Sequence, residues 1–344
     1  MPRLVANPPN PWSSTTLDHG GEHLDVPPPL AKLEIHEERA KRILSRNDSP
    51  DLTFRWSVNP YRGCYHGCAY CYARPSHQYW GFGAGTDFER KLVVKINAVE
   101  LLEEAFSDPG WRGEWITLSG NTDCYQPIEA SYRLTRRILE LCARYRQPVG
   151  VITKSSLIRR DLDVLGEVAR RGRLKVTISA AMPDDELGRA LEPWASPISK
   201  RFEAMRALAD AGIEVGISLA PIIPGVNDGA VARLLERARD HGASFAFMSL
   251  VRLSREVLPV FDARLGEALP LRAEKVRNGI RAMRGGEMND TRFGARMQGE
   301  GERWRVVEQL FRVHVARLGL TQGEVVVSEP TTTFERPRRQ LTLF

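Results

Sequence analysis

The sequence predicts an α/β protein built as an incomplete TIM-like (β/α)6 barrel, with an N-terminal leader and a C-terminal helical extension. Six short apolar runs alternate with amphipathic stretches, which is typical of βαβ units and a parallel sheet. No G-x-G-x-x-G motif follows the first run, which argues against the dinucleotide-binding type of open sheet. Polar residues gather directly after the runs, and barrel enzymes place their active sites in such loops.

The predicted strands and helices alternate along the chain. Strands are predicted at 52–58, 115–120, 148–154, 174–180, 213–221 and 244–250. Helices are predicted near 97–107, 129–145, 161–171, 199–211 and 229–241. In the second of these helices the apolar side chains share one face and arginines lie opposite. That apolar face carries Leu134, Ile138, Leu141 and Cys142, so we expect Cys142 to be a buried core thiol.

The barrel is expected to occupy residues 51–285. Residues 1–50, rich in Pro, Asn, Ser and charge, are predicted to form an irregular leader with one short helix within 30–44. Beyond the barrel, a C-terminal extension over 286–330 and a flexible tail over 331–344 are expected. Helices are predicted at 265–284 and 301–317, and the Gly-rich polar loop between them is expected to close over the barrel mouth.

The composition describes a soluble globular protein rather than a disordered chain, with 42% hydrophobic and 27% charged residues. No run of about 18 apolar residues is present, so no membrane span is expected. The first 20 residues lack the apolar region of a secretory signal. We therefore expect a cytoplasmic protein, in which clustered cysteines bind metal more often than they form disulfides.

Three of the five cysteines lie in the loop after the first predicted strand, as Cys64, Cys68 and Cys71 in a C-x3-C-x2-C spacing. Three thiolates can hold three irons of a cubic [4Fe–4S] cluster and leave the fourth iron open. Ferredoxin-type clusters and structural zinc sites use four ligands. Zinc bound by these cysteines with His66 or His77 is an alternative, although Cys64-x-His66 is an awkward reach and zinc would not explain the polar barrel loops.

The spacing, with Tyr70 before the last cysteine, resembles the radical S-adenosylmethionine (SAM) superfamily. Further stretches resemble its spore photoproduct lyase branch, also called DNA repair photolyase-like: "CAYCYARPSHQYWGF", "TDCYQPIE", "ITKSSLIRRDLDVL", "VTISAAM" and "ISLAPIIPGVND". The resemblance implies a [4Fe–4S] cluster and SAM, which is cleaved to a 5′-deoxyadenosyl radical. It also implies an electron donor such as a flavodoxin or ferredoxin, and a lyase-like reaction in DNA repair.

The same resemblance assigns cofactor-binding residues at the ends of the strands. Gly120, Asn121 and Thr122 would lie near the methionyl amino group of SAM. Lys154 would pair with its carboxylate, Ser179 would hydrogen-bond the cofactor, and the backbone at Ala220 would meet the adenine. An exposed strand-end lysine and an ordinary strand-end serine remain the alternatives for Lys154 and Ser179.

Three residues are candidates for radical chemistry. Cys124 could donate a hydrogen atom to a substrate radical, and Tyr70 and Tyr72 could relay one. Spore photoproduct lyase carries its hydrogen-donating cysteine about three residues before the aspartate that matches Asp123, where this sequence has Gly120. The photoproduct-lyase reaction itself is therefore left open. The alternatives are a structural thiol and tyrosines that pack on the cluster.

The last residues resemble the peptide by which bacterial DNA polymerases and repair proteins bind the sliding clamp. The resemblance rests on Gln340, Leu341, Leu343 and Phe344. Alternatively, Leu343 and Phe344 fold back onto the barrel. The sequence thus predicts a radical SAM enzyme that repairs or modifies nucleic acid. Two alternatives are a radical SAM modifier of RNA, peptide or metabolite, and a non-catalytic iron–sulfur protein that docks on DNA or the clamp.

Overall fold

Six parallel strands form the centre of the protein, in a computed structural model that describes residues 5–8, 32–323 and 332–337. The strands are β1 (Glu34–Glu38), β2 (Leu44–Arg46), β3 (Trp56–Val58), β4 (Tyr61–Arg62), β5 (Lys91–Lys95), β6 (Ile116–Leu118), β7 (Val149–Thr153), β8 (Leu174–Ser179), β9 (Val215–Ile222), β10 (Phe245–Leu250) and β11 (Thr321–Gln322). The large sheet has the order β11-β10-β9-β8-β7-β6-β3-β2. Within it, β3 and β6 to β10 run parallel in chain order.

Helices follow these strands and cover the outside of the sheet. They are α1 (Thr86–Arg90), α2 (Ala98–Ser107), α3 (Glu129–Tyr132), α4 (Leu134–Arg144), α5 (Leu162–Arg171), α6 (Asp185–Leu191), α7 (Ile198–Asp210), α8 (Val231–Asp240), α9 (Val257–Ala268), α10 (Ala273–Ala282) and α11 (Gly301–Arg317). Repeated strand–helix units in one parallel sheet confirm the predicted α/β fold with an incomplete barrel. No helix in the described part of the chain has both the length and the apolar character needed to cross a membrane.

The core lies between the sheet and its helices. The three residues of β6 are all buried, as expected for a strand covered on both faces. The apolar face predicted on α4 is confirmed: Ile138 and Cys142 are fully buried. Burying a side chain of this kind stabilises the fold by about 1.5–3 kcal/mol, so the helical period of 3.6 residues decides which face of α4 meets the sheet.

The helix predicted within 30–44 is wrong. Residues Glu34–Glu38 form β1, which pairs in parallel with β5, and β5 pairs antiparallel with β4. Leu44–Arg46 form β2, which adds to the large sheet antiparallel to β3. The charged residues here favour a helix in isolation, but pairing with the buried strand β5 satisfies their backbone groups and overrides that propensity. This part of the predicted leader therefore belongs to the two sheets.

The C-terminal region also differs from the prediction. The helix expected at 265–284 is divided into α9 and α10, because Pro270 cannot continue the first helix. α11 spans the predicted residues 301–317, and residues 284–300 contain no helix or strand. These residues connect the end of β10 to the N-terminal region: the Leu250 N–H donates to the Met297 carbonyl at 3.0 Å, and Arg296 forms an ion pair with Asp51.

Residues 332–337 pack against the barrel instead of forming the expected flexible tail. The ring of Phe334 lies 5.8 Å from that of Phe106 and 6.0 Å from that of Tyr145. Arg336 donates to the carbonyls of Phe106 and Trp111 at 3.0 and 2.9 Å. Gln340, Leu341, Leu343 and Phe344 lie outside the described residues.

Candidate active site at the barrel mouth

A cavity of about 250 Å³ opens where the central strands end. Its walls come from the loop after β3 and from the carboxyl ends of β6, β7, β8, β9 and β10, as expected for a barrel enzyme. The structure brings together eleven of the twelve predicted site residues along this cavity. They are Cys64, Cys68, Tyr70, Cys71, Tyr72, Gly120, Asn121, Thr122, Lys154, Ser179 and Ala220.

The cysteine loop is a series of tight turns. The Gly67 N–H donates to the Cys64 carbonyl at 3.3 Å, and the Cys71 N–H donates to the Cys68 carbonyl at 3.2 Å. Before the first cysteine, Gly63 has a φ of +69°, and an added Cβ would lie 2.9 Å from the Phe88 carbonyl oxygen. Only glycine adopts this conformation without strain at so close an approach. The turns direct the three thiols towards one cavity.

Arg74 fixes this loop from beneath. Its guanidinium is fully buried and donates to the carbonyl of Cys68 at 2.8 and 3.1 Å and to that of Gly85 at 2.9 Å. It also forms an ion pair with Glu89 at 2.5 Å, and Glu89 accepts a second ion pair from Arg264 at 3.1 Å. A buried charge is tolerated where it is paired and hydrogen-bonded in this way. The cysteine loop is therefore held in place by a buried group of paired charges.

A second buried group of charges holds the other side of the loop. Glu192 accepts a hydrogen bond from the Tyr70 hydroxyl and forms an ion pair with Arg201, both in close contact. Arg201 in turn donates to the carbonyl of Ser179 at 2.9 Å. Glu192 thereby connects the tyrosine between two cysteines to the end of β8, where the cofactor was predicted to bind.

Lys154 lies beside this group, at the end of β7. Burial alone lowers the pKa of Lys154, but the neighbouring Cys68 and Glu192 raise it above its ordinary value. Its ammonium group lies 5.9 Å from the centre of the Tyr70 ring. Lys154 therefore stays protonated and lines the cavity as a cation, which suits an anionic group on a bound molecule.

The thiols fit the metal group that their spacing suggests. Burial raises the pKa of Cys68 well above its ordinary value, and Lys154 acts in the opposite direction. Burial also raises the pKa of Cys71, against the effect of Arg74. Within the described residues, no three His, Cys, Asp or Glu side chains are placed to hold one metal ion. A cubic cluster instead has a separate iron for each cysteine, so this donor set fits a cluster better than zinc.

The loop after β6 is tied to the cysteine loop at several points. The Tyr72 hydroxyl donates to the Gly120 carbonyl at 2.9 Å, and the Asn121 side chain donates to the Ser76 hydroxyl at 3.1 Å. The Thr122 hydroxyl donates to the Tyr61 carbonyl at 2.9 Å. At Gly120 an added Cβ would lie 2.9 Å from the Ser57 side chain, so only glycine fits without movement. The two loops thus form one wall of the cavity.

Asp123 joins this wall to the end of β7. It accepts from the Thr153 hydroxyl and from the Lys154 N–H, both at 2.7 Å. Its carboxylate lies 3.4 Å from Nδ1 of the buried His66. Burial alone raises the pKa of Asp123, but His66 and these donors lower it to about 2. The aspartate is therefore charged and fixes the backbone of Lys154.

Cys124 is the predicted site residue that does not line the cavity. It is fully buried, its N–H donates to the Ser119 hydroxyl at 2.8 Å, and its carbonyl accepts from Thr135 at 2.6 Å. Burial raises the pKa of the thiol well above its ordinary value. A hydrogen-donating role would require movement towards the cavity and stays a prediction.

Sequence reasoning missed Arg74, Glu192 and Arg201, and it also missed Arg252, which lines the cavity after β10. Arg74 follows the cysteines closely, so its place beside the loop could have been noticed. Glu192 and Arg201 lie more than 100 residues from the cysteines, and nothing in their local pattern separates them from solvated helix charges. Asp161 lies at the start of α5, where its side chain caps no N–H and forms ion pairs with Arg136 and Arg160.

Solved structures of spore photoproduct lyase share this fold. One, in complex with dinucleoside spore photoproduct, gives a TM-score of 0.58 at 14% identity and covers 84% of this chain and 81% of that chain. Another, a double mutant with bound AdoMet and dinucleoside spore photoproduct, gives a TM-score of 0.60 at 15% identity, covering 86% and 82%. At this identity the likeness concerns the fold.

Relatives by sequence include an uncharacterized protein of Mycobacterium tuberculosis (strain ATCC 25618 / H37Rv), 37% identical over 202 residues. The match covers 58% of this chain and 59% of that protein, so it spans about three fifths of the relative's length. An uncharacterized protein of Methanocaldococcus jannaschii is 29% identical over 198 residues, which are 58% of this chain and 71% of that protein.

The family is settled by a match to the sequence model of the radical SAM superfamily over residues 58–238. This range is more than half of the chain, and it contains the three loop cysteines and every central strand from β6 to β9. The chain therefore belongs to the radical SAM superfamily, whose cofactors are a [4Fe–4S] cluster and S-adenosylmethionine.

Proposed function

We propose that this chain is a radical SAM enzyme that generates a 5′-deoxyadenosyl radical to repair or modify nucleic acid. The observation that carries the proposal is the placing of Cys64, Cys68 and Cys71 along one cavity with Lys154 and the strand-end residues. When bound, the cluster and SAM supply a carbon radical that abstracts hydrogen. The protein contributes position, charge and the exclusion of water.

Each residue has a defined task in this proposal. The three cysteines hold the cluster through their sulfurs, and Lys154 pairs with the SAM carboxylate. Ser179 and the loop at 120–122 hydrogen-bond the cofactor, while the backbone at Ala220 contacts the adenine. Tyr72 is exposed at the cavity, and its hydroxyl donates to the Gly120 carbonyl. This position suits either of two roles, packing on the cofactors or relaying a hydrogen atom.

The test is anaerobic reconstitution with iron and sulfide, followed by SAM and dithionite. We expect 5′-deoxyadenosine and methionine from the intact chain. Cys64→Ala should lose both iron and product, whereas Cys142→Ala, a matched change at a core thiol, should keep both. Failure to form deoxyadenosine in a cluster-loaded sample would instead support the non-catalytic iron–sulfur alternative.

A nucleic acid substrate is the finer part of the proposal. Spore photoproduct lyase, whose fold this chain shares, has been solved with dinucleoside spore photoproduct bound. The formal net charge of +6 suits a polyanionic partner. Deuterated lesion-bearing DNA should transfer label to deoxyadenosine, and a deuterated peptide should not. Cys124→Ala should allow this label transfer but reduce the yield of repaired product if the thiol donates hydrogen.

We further propose that the C-terminal residues Gln340, Leu341, Leu343 and Phe344 bind the bacterial sliding clamp. The packing of residues 332–337 supports this. The hydroxyls of Thr332 and Thr333 donate to the carbonyls of Gly113 and Arg146, which precede β6 and β7. This segment is thus held at the end of the barrel opposite the cavity. Purified clamp should retain the full chain and release it when 340–344 are deleted. Equal retention of both forms would contradict the proposal.

The expected cytoplasmic location and a flavodoxin or ferredoxin as electron donor belong to the same proposal. A reducing compartment keeps the three cysteines free to ligate iron. Deoxyadenosine formation with a reduced flavodoxin in place of dithionite tests the donor, and no product with either flavodoxin or ferredoxin would contradict it.

A further inference from the structure

Arg252 lies at the cavity mouth in a fixed position. It follows β10 and lines the cavity with its half-buried side chain. The backbone is held on both sides: the Val251 carbonyl accepts from Arg284 at 2.8 Å, and the Leu253 N–H donates to Asn289 at 3.1 Å. The backbone that carries this side chain is therefore ordered before any ligand binds, which removes the cost of ordering the loop.

The guanidinium of Arg252 has no carboxylate partner among the described residues. It contacts the sulfur of Met297 at 3.9 Å, a weak acceptor. The buried Arg74 and Arg201 pair with Glu89 and Glu192, and the buried Arg284 donates to four carbonyls instead. The neighbouring Asp51 is already paired with Arg296. Among the described residues, no carboxylate or carbonyl oxygen is shown to accept from the half-buried guanidinium of Arg252, so this cation in the cavity is free to bind an anion.

The surroundings of Arg252 favour an anionic ligand. Burial lowers the pKa of Arg252, and the positive charge of Arg296 lowers it further. The free protein therefore holds this charge at a cost that a bound anion would offset. Arg252 also interacts electrostatically with Tyr72, a residue that is 55% exposed and lines the same cavity with an aromatic ring suited to stacking.

Arg252 is distinct from the cation assigned to SAM. Lys154 ends β7 beside Cys68 and Glu192, whereas Arg252 follows β10 and contacts Met297; Tyr72 interacts electrostatically with both cations. SAM carries one carboxylate, so the second cation is free for the substrate. We propose that Arg252 binds a phosphate of the substrate, which makes the substrate a phosphate-bearing nucleotide unit. This rests on the proposed radical SAM function and names a chemical group that its substrate carries.

The test compares phosphate with a neutral analogue in the cluster-loaded protein with SAM bound. The probes are a fluorescent oligothymidylate and the same oligomer with uncharged methylphosphonate linkages, measured by anisotropy at one salt concentration. Arg252→Gln should weaken binding of the phosphodiester oligomer about 10- to 100-fold, as expected for a lost hydrogen bond to a charged group. Binding of the neutral oligomer should not change. Arg252→Lys should weaken phosphodiester binding less than Arg252→Gln does.

The matched control is Arg255→Gln, which removes an exposed arginine three residues further along the same loop. It should bind both oligomers like the unaltered chain. Thymidine monophosphate separates the two sources of phosphate: Arg252-dependent binding of the monophosphate alone supports a free nucleotide, and binding of the oligomer supports a polynucleotide. The proposal is overturned if Arg252→Gln weakens binding of both oligomers equally, or if it lowers SAM affinity as much as it lowers affinity for the phosphodiester oligomer.

Failure of this inference is distinguishable from failure of the proposed function. If the unaltered chain binds neither phosphate probe yet forms deoxyadenosine from SAM, the phosphate site is wrong and the radical SAM activity stands. If it binds phosphate through Arg252 but forms no deoxyadenosine, the anion site stands and the enzymatic proposal fails. The Arg252→Lys variant keeps the test valid should the glutamine variant fold poorly.

Discussion

Replacing Arg74 with glutamine should release the cysteine loop and lower the stability of the whole protein. The guanidinium donates to four carbonyls, those of Gly67, Cys68, Ala84 and Gly85, and it pairs with Glu89. Glutamine is shorter and uncharged, so it satisfies one or two of these groups at most. The remaining acceptors are buried and stay without a donor.

The size of the effect follows from these contacts. Breaking a buried ion pair costs about 3–5 kcal/mol, because it leaves a charge without its partner. In the variant, Glu89 keeps its ion pair with Arg264 at 3.1 Å, so the cost of breaking the Arg74–Glu89 pair lies at the lower end of that range. Each buried carbonyl left without a donor adds about 1–3 kcal/mol before relaxation. We expect a net loss of about 3–5 kcal/mol, a large part of the stability of an ordinary domain.

Anaerobic urea unfolding of the apoprotein measures this loss, and iron content after reconstitution measures the consequence for the cluster. Arg144→Gln is the matched control, because Arg144 is half exposed and pairs with Glu103 at 2.6 Å on the surface. That change should cost less than about 1 kcal/mol and keep full iron loading. The reasoning is refuted if Arg74→Gln unfolds like the control and binds a full complement of iron.

Three further changes test the rest of the site. Glu192→Gln should destabilise the apoprotein by about 3 kcal/mol, since it leaves Arg201 buried without an anion; urea unfolding beside Glu103→Gln checks it. Asp123→Asn should weaken SAM binding about tenfold in equilibrium dialysis, because it loosens the Lys154 backbone, and unchanged affinity would count against it. Burial lowers the pKa of His77 from 6.5 to about 4, so the neutral imidazole contributes its full share of the unfolding free energy above pH 6.5. That contribution is lost as pH falls towards 4. His77→Leu should make the urea midpoint depend less on pH over this range.

The parts of the fold that the sequence predicts are those with a local period. Alternation of buried strands with amphipathic helices locates β6 to β10 within one or two residues at most ends, because each pattern spans a whole element. The strand at Glu34–Glu38 has no such pattern: its residues are mostly exposed, and its conformation depends on pairing with β5, more than 50 residues away. A tertiary partner decides it, and one sequence does not display that partner.

The site residues also fall into two groups, those that the local sequence predicts and those that only the fold brings together. Cys64, Cys68 and Cys71 are close in sequence, so their spacing alone predicts a shared ligand. Arg252 and Glu192 come from loops far along the chain, and only the fold brings Arg252 to the cavity and Glu192 to the Tyr70 hydroxyl. Charged residues in helical segments are usually solvated, so their burial is invisible before the fold is known.

The charges around the cysteine loop serve chemistry as well as stability. Three thiolates on one short loop repel one another, and burial alone raises the pKa of Cys68 and Cys71. Lys154 lowers both values and Arg74 lowers that of Cys71, so fixed cations favour the form that ligates iron. Those cations have anions of their own in Glu89 and Glu192, and the charge of Glu192 also raises the pKa of Cys68. Lys154 and Arg74 thus oppose the effect of burial on the thiols that would ligate iron.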